Sequence, residues 1–182
     1  MNWKKIDSNY LFRDNWLTLR ADRCERPDGK IIDPYSVYEF PDWVTAVAFT
    51  KEHEMILIRQ YRHALGETVI EIPGGCVDNS DSNLEEACAR ELMEETGYRF
   101  ESFEYLCKTS ANPSTNSNLM HVFLATGGEK INEQKLDEAE DIEILIISIE
   151  EVKEMLRQNR LVQSMHVTAL LYGLNRVGEL HF

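Results

Sequence analysis

Apolar and polar positions alternate unevenly along this chain, and the pattern divides it into strands followed by helices. Residues 44–49, Val-Thr-Ala-Val-Ala-Phe, are small and β-branched, and 55–58, Met-Ile-Leu-Ile, form a short apolar run; both predict strands. Lys51-Glu52-His53-Glu54 between them predicts a polar hairpin connection. Pro73-Gly74-Gly75 predicts a break after a strand that ends at Ile72. A helix is expected from about 83 to 96. Ser82 with Glu85 three residues later matches a capping box, and Gly97 suits the left-handed position past the helix end. Residues 120–125 and 142–149 predict two more strands. Ser148 and Glu151 offer a second capping box for a helix to about Asn159, and 162–174 predicts another with Leu170, Leu171 and Leu174 on its buried side. Pro27-Asp28-Gly29 reads as the turn of an N-terminal β-hairpin. Strands and helices mix without a regular βαβ alternation, which predicts α+β packing in layers.

The helix at 83–96 carries the chemistry. Glu91, Glu94 and Glu95 stand at i, i+3 and i+4, on one side of a helix. Generic charge clusters of this kind are solvated faces, but the phase here argues otherwise. At about 3.6 residues per turn, Glu91 and Glu95 continue the stripe of Leu84, Ala87 and Cys88, whereas Glu85, Glu86 and Met93 fall towards the other side. Carboxylates crowded along an inward edge repel one another and lose hydration. A hard divalent cation such as magnesium or manganese relieves both, and Arg90 can orient or partly neutralise the cluster.

Composition narrows the setting. The 182 residues fit a substantial core, and 43% hydrophobic with 28% charged residues is ordinary for a globular protein. A net charge of −13 disfavours a nucleic-acid or anionic-membrane binder, and demands concentrated positive charge wherever a polyanionic substrate is handled. The start, Met1 to Asp7, has no apolar stretch behind its lysines, and no segment approaches the roughly 18 apolar residues of a membrane span. Cys24, Cys76, Cys88 and Cys107 lack C-x-x-C spacing, which points away from a disulfide framework or zinc site and towards a reducing cytoplasm.

The stretch from Gly75 to Tyr98 resembles the Nudix box, G-x5-E-x7-R-E-U-x-E-E-x-G-U with U a bulky apolar residue. Arg90-Glu91-Leu92-Met93-Glu94-Glu95-Thr96-Gly97 matches its second half position by position, with Tyr98 at the last U. The first half departs: residues 76 to 89 number fourteen where the pattern has thirteen, and the usual glutamate is replaced by Asp81 or Ser82, depending on where the extra residue falls. In the family that glutamate mainly supports the loop and the arginine. Arg59-Gln60-Tyr61-Arg62 followed by Glu71-Ile72-Pro73-Gly74-Gly75 is similar to segments of the ADP-ribose and nucleoside-diphosphate-sugar branch. Pro113, 15 residues after Tyr98, occupies the place of a proline typical of ADP-ribose-cleaving members. Gln163-Ser164-Met165 stands where some sugar-nucleotide members carry Asp-x-Lys, a departure that favours ADP-ribose.

The resemblance implies a Nudix-like α/β/α sandwich with a mixed sheet over 43–182, preceded by an N-terminal β segment over 1–42 that serves as a dimerisation arm. It implies Mg2+, or Mn2+, held by Glu91, Glu94, Glu95 and the Gly74 carbonyl. Arg90, with Glu138 or Glu140 of the acidic loop as general base, makes the catalytic set; Arg59, Arg62 and Pro113 make the substrate set. The implied reaction is hydrolysis of the diphosphate of ADP-ribose or a related nucleoside diphosphate sugar to a nucleoside monophosphate and a sugar phosphate. GDP- or UDP-sugars, dinucleoside polyphosphates and a non-cleaving nucleotide sensor are the alternatives. The resemblance implies a second copy as partner beyond the small nucleotide; Trp3, Tyr10, Phe12 and Trp16 make the N-terminal stretch apolar enough to need covering, by such a copy or by its own domain. Tyr38 and Trp43 are either base-stacking or core aromatics.

Overall fold

The computed structural model describes residues 1–14, 17–138 and 140–181; Trp16 lies outside them. The chain forms two compact units, 42–109 with 120–182 and 1–41 with 110–119. The larger one carries a mixed sheet. Its centre is β4 (Trp43–Thr50), paired in parallel with β10 (Met120–Lys130) and antiparallel with β5 (Met55–Arg62), and β5 pairs on its far side with β11 (Ile142–Ile147). Short β6 (Glu67–Glu71) pairs with β5, β7 (Gly74–Cys76) with β4, and β8 (Tyr98–Arg99) and β9 (Ser102–Thr109) with β10. The connection at 51–54 is the expected tight one, closed by Thr50 N–H donating to Glu54 O at 2.9 Å. The Pro-Gly-Gly segment does more than end a strand: β6 stops at Glu71 and the two glycines open β7.

Helices cover both faces of this sheet. Alternation along β4 and β5 sends Val44, Ala46, Ala48 and Ile56 to one side, where they pack with Ala87, Cys88 and Leu92 of α1 (Leu84–Thr96). Val47, Phe49, Met55 and Leu57 go to the other, against Val152 and Met155 of α2 (Ile149–Arg157) and Met165, Ala169, Leu170 and Leu174 of α3 (Ser164–Arg176). The result is a Nudix-like α/β/α sandwich. Leu92 is fully buried, so Leu92→Ala should cost about 3 kcal/mol.

Two local expectations are corrected, and one strand is added. The N-cap of α1 is Asn83, whose side chain accepts from Glu86 N–H, while the Glu86 carboxylate accepts from Ser82 N–H. Asn83 and Glu86 thus stand one residue later than Ser82 and Glu85, and the Glu86 carboxylate reaches past the cap to the residue before it. Leu171 is 36% exposed, because the buried stripe of α3 runs through Ala169, Leu170, Gly173 and Leu174. Strand β9 was not anticipated, although its polar–apolar alternation is an edge-strand pattern. The Gly97 cap (φ 72°) and the Ser148 cap, accepting from Glu151 N–H, are as expected.

The smaller unit is an antiparallel sheet, β1 (Lys4–Arg13), β2 (Thr18–Glu25) and β3 (Ile31–Glu39), with the expected turn at Pro27-Asp28-Gly29 between the last two. Asp22 is buried and accepts from Ser8 Oγ (2.6 Å) and Arg20 Nε (2.9 Å). Trp3, Ile6, Tyr10, Leu11 and Phe12 of the N-terminal stretch are exposed. No helix among the described residues is long and apolar enough to cross a membrane.

Candidate active site

Two glycines bring α1 against the sheet. The Pro73 carbonyl accepts from Ala46 N–H (3.2 Å) and Thr45 Oγ (2.8 Å), which pins the turn onto β4. Gly74 has φ 147°, and a Cβ there would lie 2.2 Å from Val44 O; only glycine fits. A Cβ on Gly75 would lie 2.5 Å from Glu91 Oε2, so this carboxylate rests directly on the Gly75 main chain. Glu95 Oε2 accepts from Gly74 N–H at 2.7 Å. The helix carboxylates are thus registered against the β7 backbone one turn apart.

Arg90 ties the helix to the loop before it. Its Nε and Nη2 donate to the two oxygens of Asp81 (3.0 and 2.9 Å), and Nη2 also reaches Cys76 O (2.9 Å). Nη1 donates to Glu91 Oε1 (2.9 Å) and Glu94 Oε2 (3.0 Å). Between Asp81 and Ser82, therefore, Asp81 is the acidic partner of the box arginine, and the extra residue is taken up in the loop. The guanidinium holds the Asp81 carboxyl below the usual range, and Asp81 in turn raises Arg90.

Burial dominates the electrostatics of the other carboxylates. Desolvation pushes Glu91 up to about 7 against the pull of Arg90, with Glu94 and Glu140 raising it further. Glu95, 3% exposed, is pushed up to about 8 by desolvation; the Gly74 N–H and Arg62 oppose that, while Glu91 and Glu140 add to it. Glu91, Glu94, Glu95 and the Gly74 carbonyl offer only oxygen donors, the chemistry that suits a hard divalent cation. Among the described residues, however, no three His, Cys, Asp or Glu side chains stand ready to hold a metal ion. The reason is visible: Glu91 and Glu94 are turned to Arg90, and Glu95 to the Gly74 amide. The all-oxygen donor set and the desolvation of Glu91 and Glu95 nonetheless fit the chemistry of such a cation.

The expected arginines part company. Arg59 and Arg62 are three residues apart on β5 and so project to opposite faces. Arg59 is tied to the cross-strand Glu143, its Nε donating at 2.9 Å. Arg62 Nε donates to Glu71 Oε2 (2.9 Å), with Nη2 in an ion pair 2.7 Å from the same oxygen, and its charge acts on Glu95. Glu140 charge acts on both Glu91 and Glu95, whereas Glu138 is exposed. Pro113 is exposed in a turn of the smaller unit, where Asn112 accepts from Ser114, Thr115 and Asn116 N–H. Trp43 packs on the α2–α3 side of the core, and Tyr38 is 37% exposed.

Two residues escaped the sequence. Glu71, 3% exposed, collects Arg62 and Gln60 (3.1 Å) on one oxygen; it was visible only as a letter in a motif. His166, 6% exposed, is pushed down to about 4 by burial and sits in an otherwise apolar stripe that gave no signal. A cavity of about 420 Å³ lies between Arg90, Met93 and Glu94 and the segment Asn132, Glu133 and Lys135. A larger one, about 560 Å³, is walled by residues such as Phe49, Lys51, His53 and Ile149 and contains none of the box carboxylates, so volume does not mark the chemistry here.

Comparison with known proteins places the chain in a family. The NUDIX domain model matches residues 40–165, and the model described as the nucleoside diphosphate sugar hydrolase N-terminal domain matches residues 3–38. The chain is 29% identical over 170 residues to a methanol dehydrogenase activator of Bacillus methanolicus and 27% identical over 170 residues to an ADP-ribose pyrophosphatase of Bacillus subtilis, each alignment covering 93% of this chain and 91% of the relative. A GDP-mannose pyrophosphatase of Escherichia coli K12 is 28% identical over 172 residues, covering 89% of this chain and 90% of its own. A solved ADP compounds hydrolase superposes with a TM-score of 0.84 over 99% of this chain and 98% of its own, at 22% identity.

Proposed function

This chain belongs to the Nudix family and is a Nudix pyrophosphohydrolase, and from that premise we propose that it hydrolyses the diphosphate of ADP-ribose to AMP and ribose 5-phosphate. The observation that carries the reading is the pair of desolvated carboxylates, Glu91 and Glu95, lodged against the Gly74–Gly75 main chain beside Arg62. Glu91, Glu94, Glu95 and the Gly74 carbonyl would hold a divalent cation, Mg2+ or Mn2+. When bound, such a cation supplies charge neutralisation at the phosphate oxygens and lowers the pKa of attacking water.

The chain's own residues do the rest. Arg90, anchored by Asp81, keeps Glu91 and Glu94 from splaying apart, which makes it a positioning group for the cluster. Arg62 is gripped by Glu71 through Nε and Nη2, leaving Nη1 to donate to a diphosphate oxygen. Glu140 takes the proton of the attacking water; its charge already acts on Glu91 and Glu95, and that favours it over the exposed Glu138. Water adds at one phosphorus, the bridging P–O bond breaks, and the two monophosphates leave. Arg59 stays with Glu143.

The similarity to ADP-ribose pyrophosphatase supports the substrate, and the similarity to GDP-mannose pyrophosphatase supports a second reading in which a GDP-sugar is cleaved by the same groups. A homodimer is supported by the exposed Trp3, before the N-terminal strand, and Tyr10 and Phe12 on it, with 1–42 as its arm and 43–182 as the catalytic part. Four free thiols support a reducing, cytoplasmic setting.

Purified protein incubated with Mg2+ or Mn2+ and ADP-ribose, ADP-glucose, GDP-mannose, UDP-glucose or diadenosine polyphosphates, with Glu95→Gln alongside, decides between these. Cation-dependent AMP from ADP-ribose, lost about a hundredfold in the variant, is expected. Release of GMP from GDP-mannose instead moves the reading to the second substrate. Nucleotide binding without any turnover makes the protein a sensor.

A further inference from the structure

The last turn of an α-helix leaves main-chain carbonyls with no partner inside the helix, and these oxygens take donors from elsewhere. For α1 the segment after β10 supplies them. Ile131 N–H (3.0 Å) and Asn132 N–H (3.2 Å) donate to Gly97 O, and Lys135 N–H donates to Glu94 O at 2.8 Å. Glu95 O is met by a side chain instead. Gln134 Nε2 donates to it at 2.7 Å, and the same nitrogen donates at 3.0 Å to Ile142 O. Ile142 opens β11 and pairs with Gln60 of β5, so the sheet fixes that carbonyl. One half-buried amide thus joins the main chain of Glu95 to the first residue of β11, and both of its hydrogens are spent in doing so. Between these anchors runs the loop 136–141. Within it Glu140 N–H donates to Asp137 O, and Asp137 N–H donates to Glu140 Oε2, each at 3.0 Å. Those two bonds fold the loop around the Glu140 carboxylate but order it only internally. Its placement on the helix comes from the anchors at its two ends, and Gln134 joins them.

We infer that Gln134 is a positioning residue, whose bridge from Glu95 O to Ile142 O holds the loop 136–141, and with it the Glu140 carboxylate, in place against the carboxylate-bearing helix α1. The inference rests on the role of base given to Glu140 above. A glutamine that only caps the helix behaves differently: its loss frays the end of α1 and leaves the loop as it was.

The test uses the full chain with Gln134→Met, which keeps the length and volume of the side chain and removes both donors. In 1H–15N spectra, hydrogen exchange at the Asp137 and Glu140 amides should quicken about tenfold or more, with the Leu92 amide in the body of α1 unchanged. With ADP-ribose and saturating magnesium, Gln134→Met should lower kcat about tenfold with KM within about twofold. In a Glu140→Gln background the same substitution should lower kcat less than about twofold, because the group it places is already gone. Unchanged exchange at Asp137 and Glu140 in a folded Gln134→Met overturns the inference. So does an equal fall in kcat in both backgrounds, which would mean that Gln134 acts on something other than Glu140. Should Gln134→Met not fold, Gln134→Asn, one methylene too short to bridge the two carbonyls, replaces it. Loss of folding in both also overturns the inference, because positioning leaves the fold intact. The exchange measurement needs no substrate, so absence of turnover by the parent protein would sink the proposed reaction and still decide whether Gln134 holds the loop.

Discussion

Replacing Glu95 by glutamine should strengthen the cation-free protein at alkaline pH while lowering its turnover about a hundredfold. In the folded chain the Glu95 carboxyl is pushed up from its ordinary 4.5 to about 8, chiefly by desolvation. The sign follows from proton counting. Between about pH 4.5 and 8 the unfolded chain has released this proton and the folded chain retains it, so stability falls as pH rises through that window. Glutamine neither ionises nor loses the acceptor for Gly74 N–H, which now donates at 2.7 Å to Oε2. At about 1.4 kcal/mol per pH unit, the shift sets an upper bound of roughly 5 kcal/mol. Coupling to Glu91, itself pushed up to about 7, and water penetration reduce the expected effect to about 2–3 kcal/mol. The assay is urea unfolding in chelator at pH 5 and pH 9 for both proteins. Comparing the two pH values cancels the fixed cost of housing the new amide group. The stability of Glu95→Gln relative to the parent should rise between them by the stated amount, and a magnesium excess at pH 8 should stabilise the parent more than the variant. A difference independent of pH, or one that turns against glutamine at pH 9, would refute the claim that this carboxylate is buried at a cost.

Other substitutions separate the parts of the site. Gly75→Ala places a methyl 2.5 Å from Glu91 Oε2 and should lower kcat about tenfold or more with the melting temperature nearly unchanged, whereas Gly74→Ala, 2.2 Å from Val44 O with φ 147°, should cost several kcal/mol in a denaturant titration. Asp81→Ala removes the two-pronged partner of Arg90 and should cost about 1–2 kcal/mol by urea unfolding while raising several-fold the magnesium concentration for half-maximal rate. Arg62→Ala leaves Glu71 buried at 3% exposure without its cation; about 3 kcal/mol of stability and at least tenfold in KM should go, measured by calorimetry and initial rates. Glu140→Gln should reduce kcat about a hundredfold and Glu138→Gln less than threefold, and equal effects in a rate assay would deny Glu140 the role of base.

Much of this protein can be read from its residues in order, because the decisive signals are local and periodic. The i, i+3, i+4 spacing of Glu91, Glu94 and Glu95, in phase with Ala87 and Cys88, required an inward-leaning acidic helix edge, and Glu95 is indeed buried while Glu85 and Glu86 are exposed. The Gly97 stop, the Ser148 cap and the strands around 44–49 and 55–58 follow from the same local rules. What the residue order left open depends on contacts between distant segments. The seven residues between Cys76 and Leu84 have no period, so only their folded path shows that Asp81 rather than Ser82 meets Arg90. Arg59 and Arg62 look alike in sequence, but Glu143 lies 84 residues from the first and Glu71 only 9 from the second; strand pairing assigns each its partner. Glu71 and His166 are invisible beforehand for a related reason. Burial of an isolated polar side chain is set by what packs over it, and that information belongs to the sheet and its two helix layers, not to the residue or its neighbours in the chain.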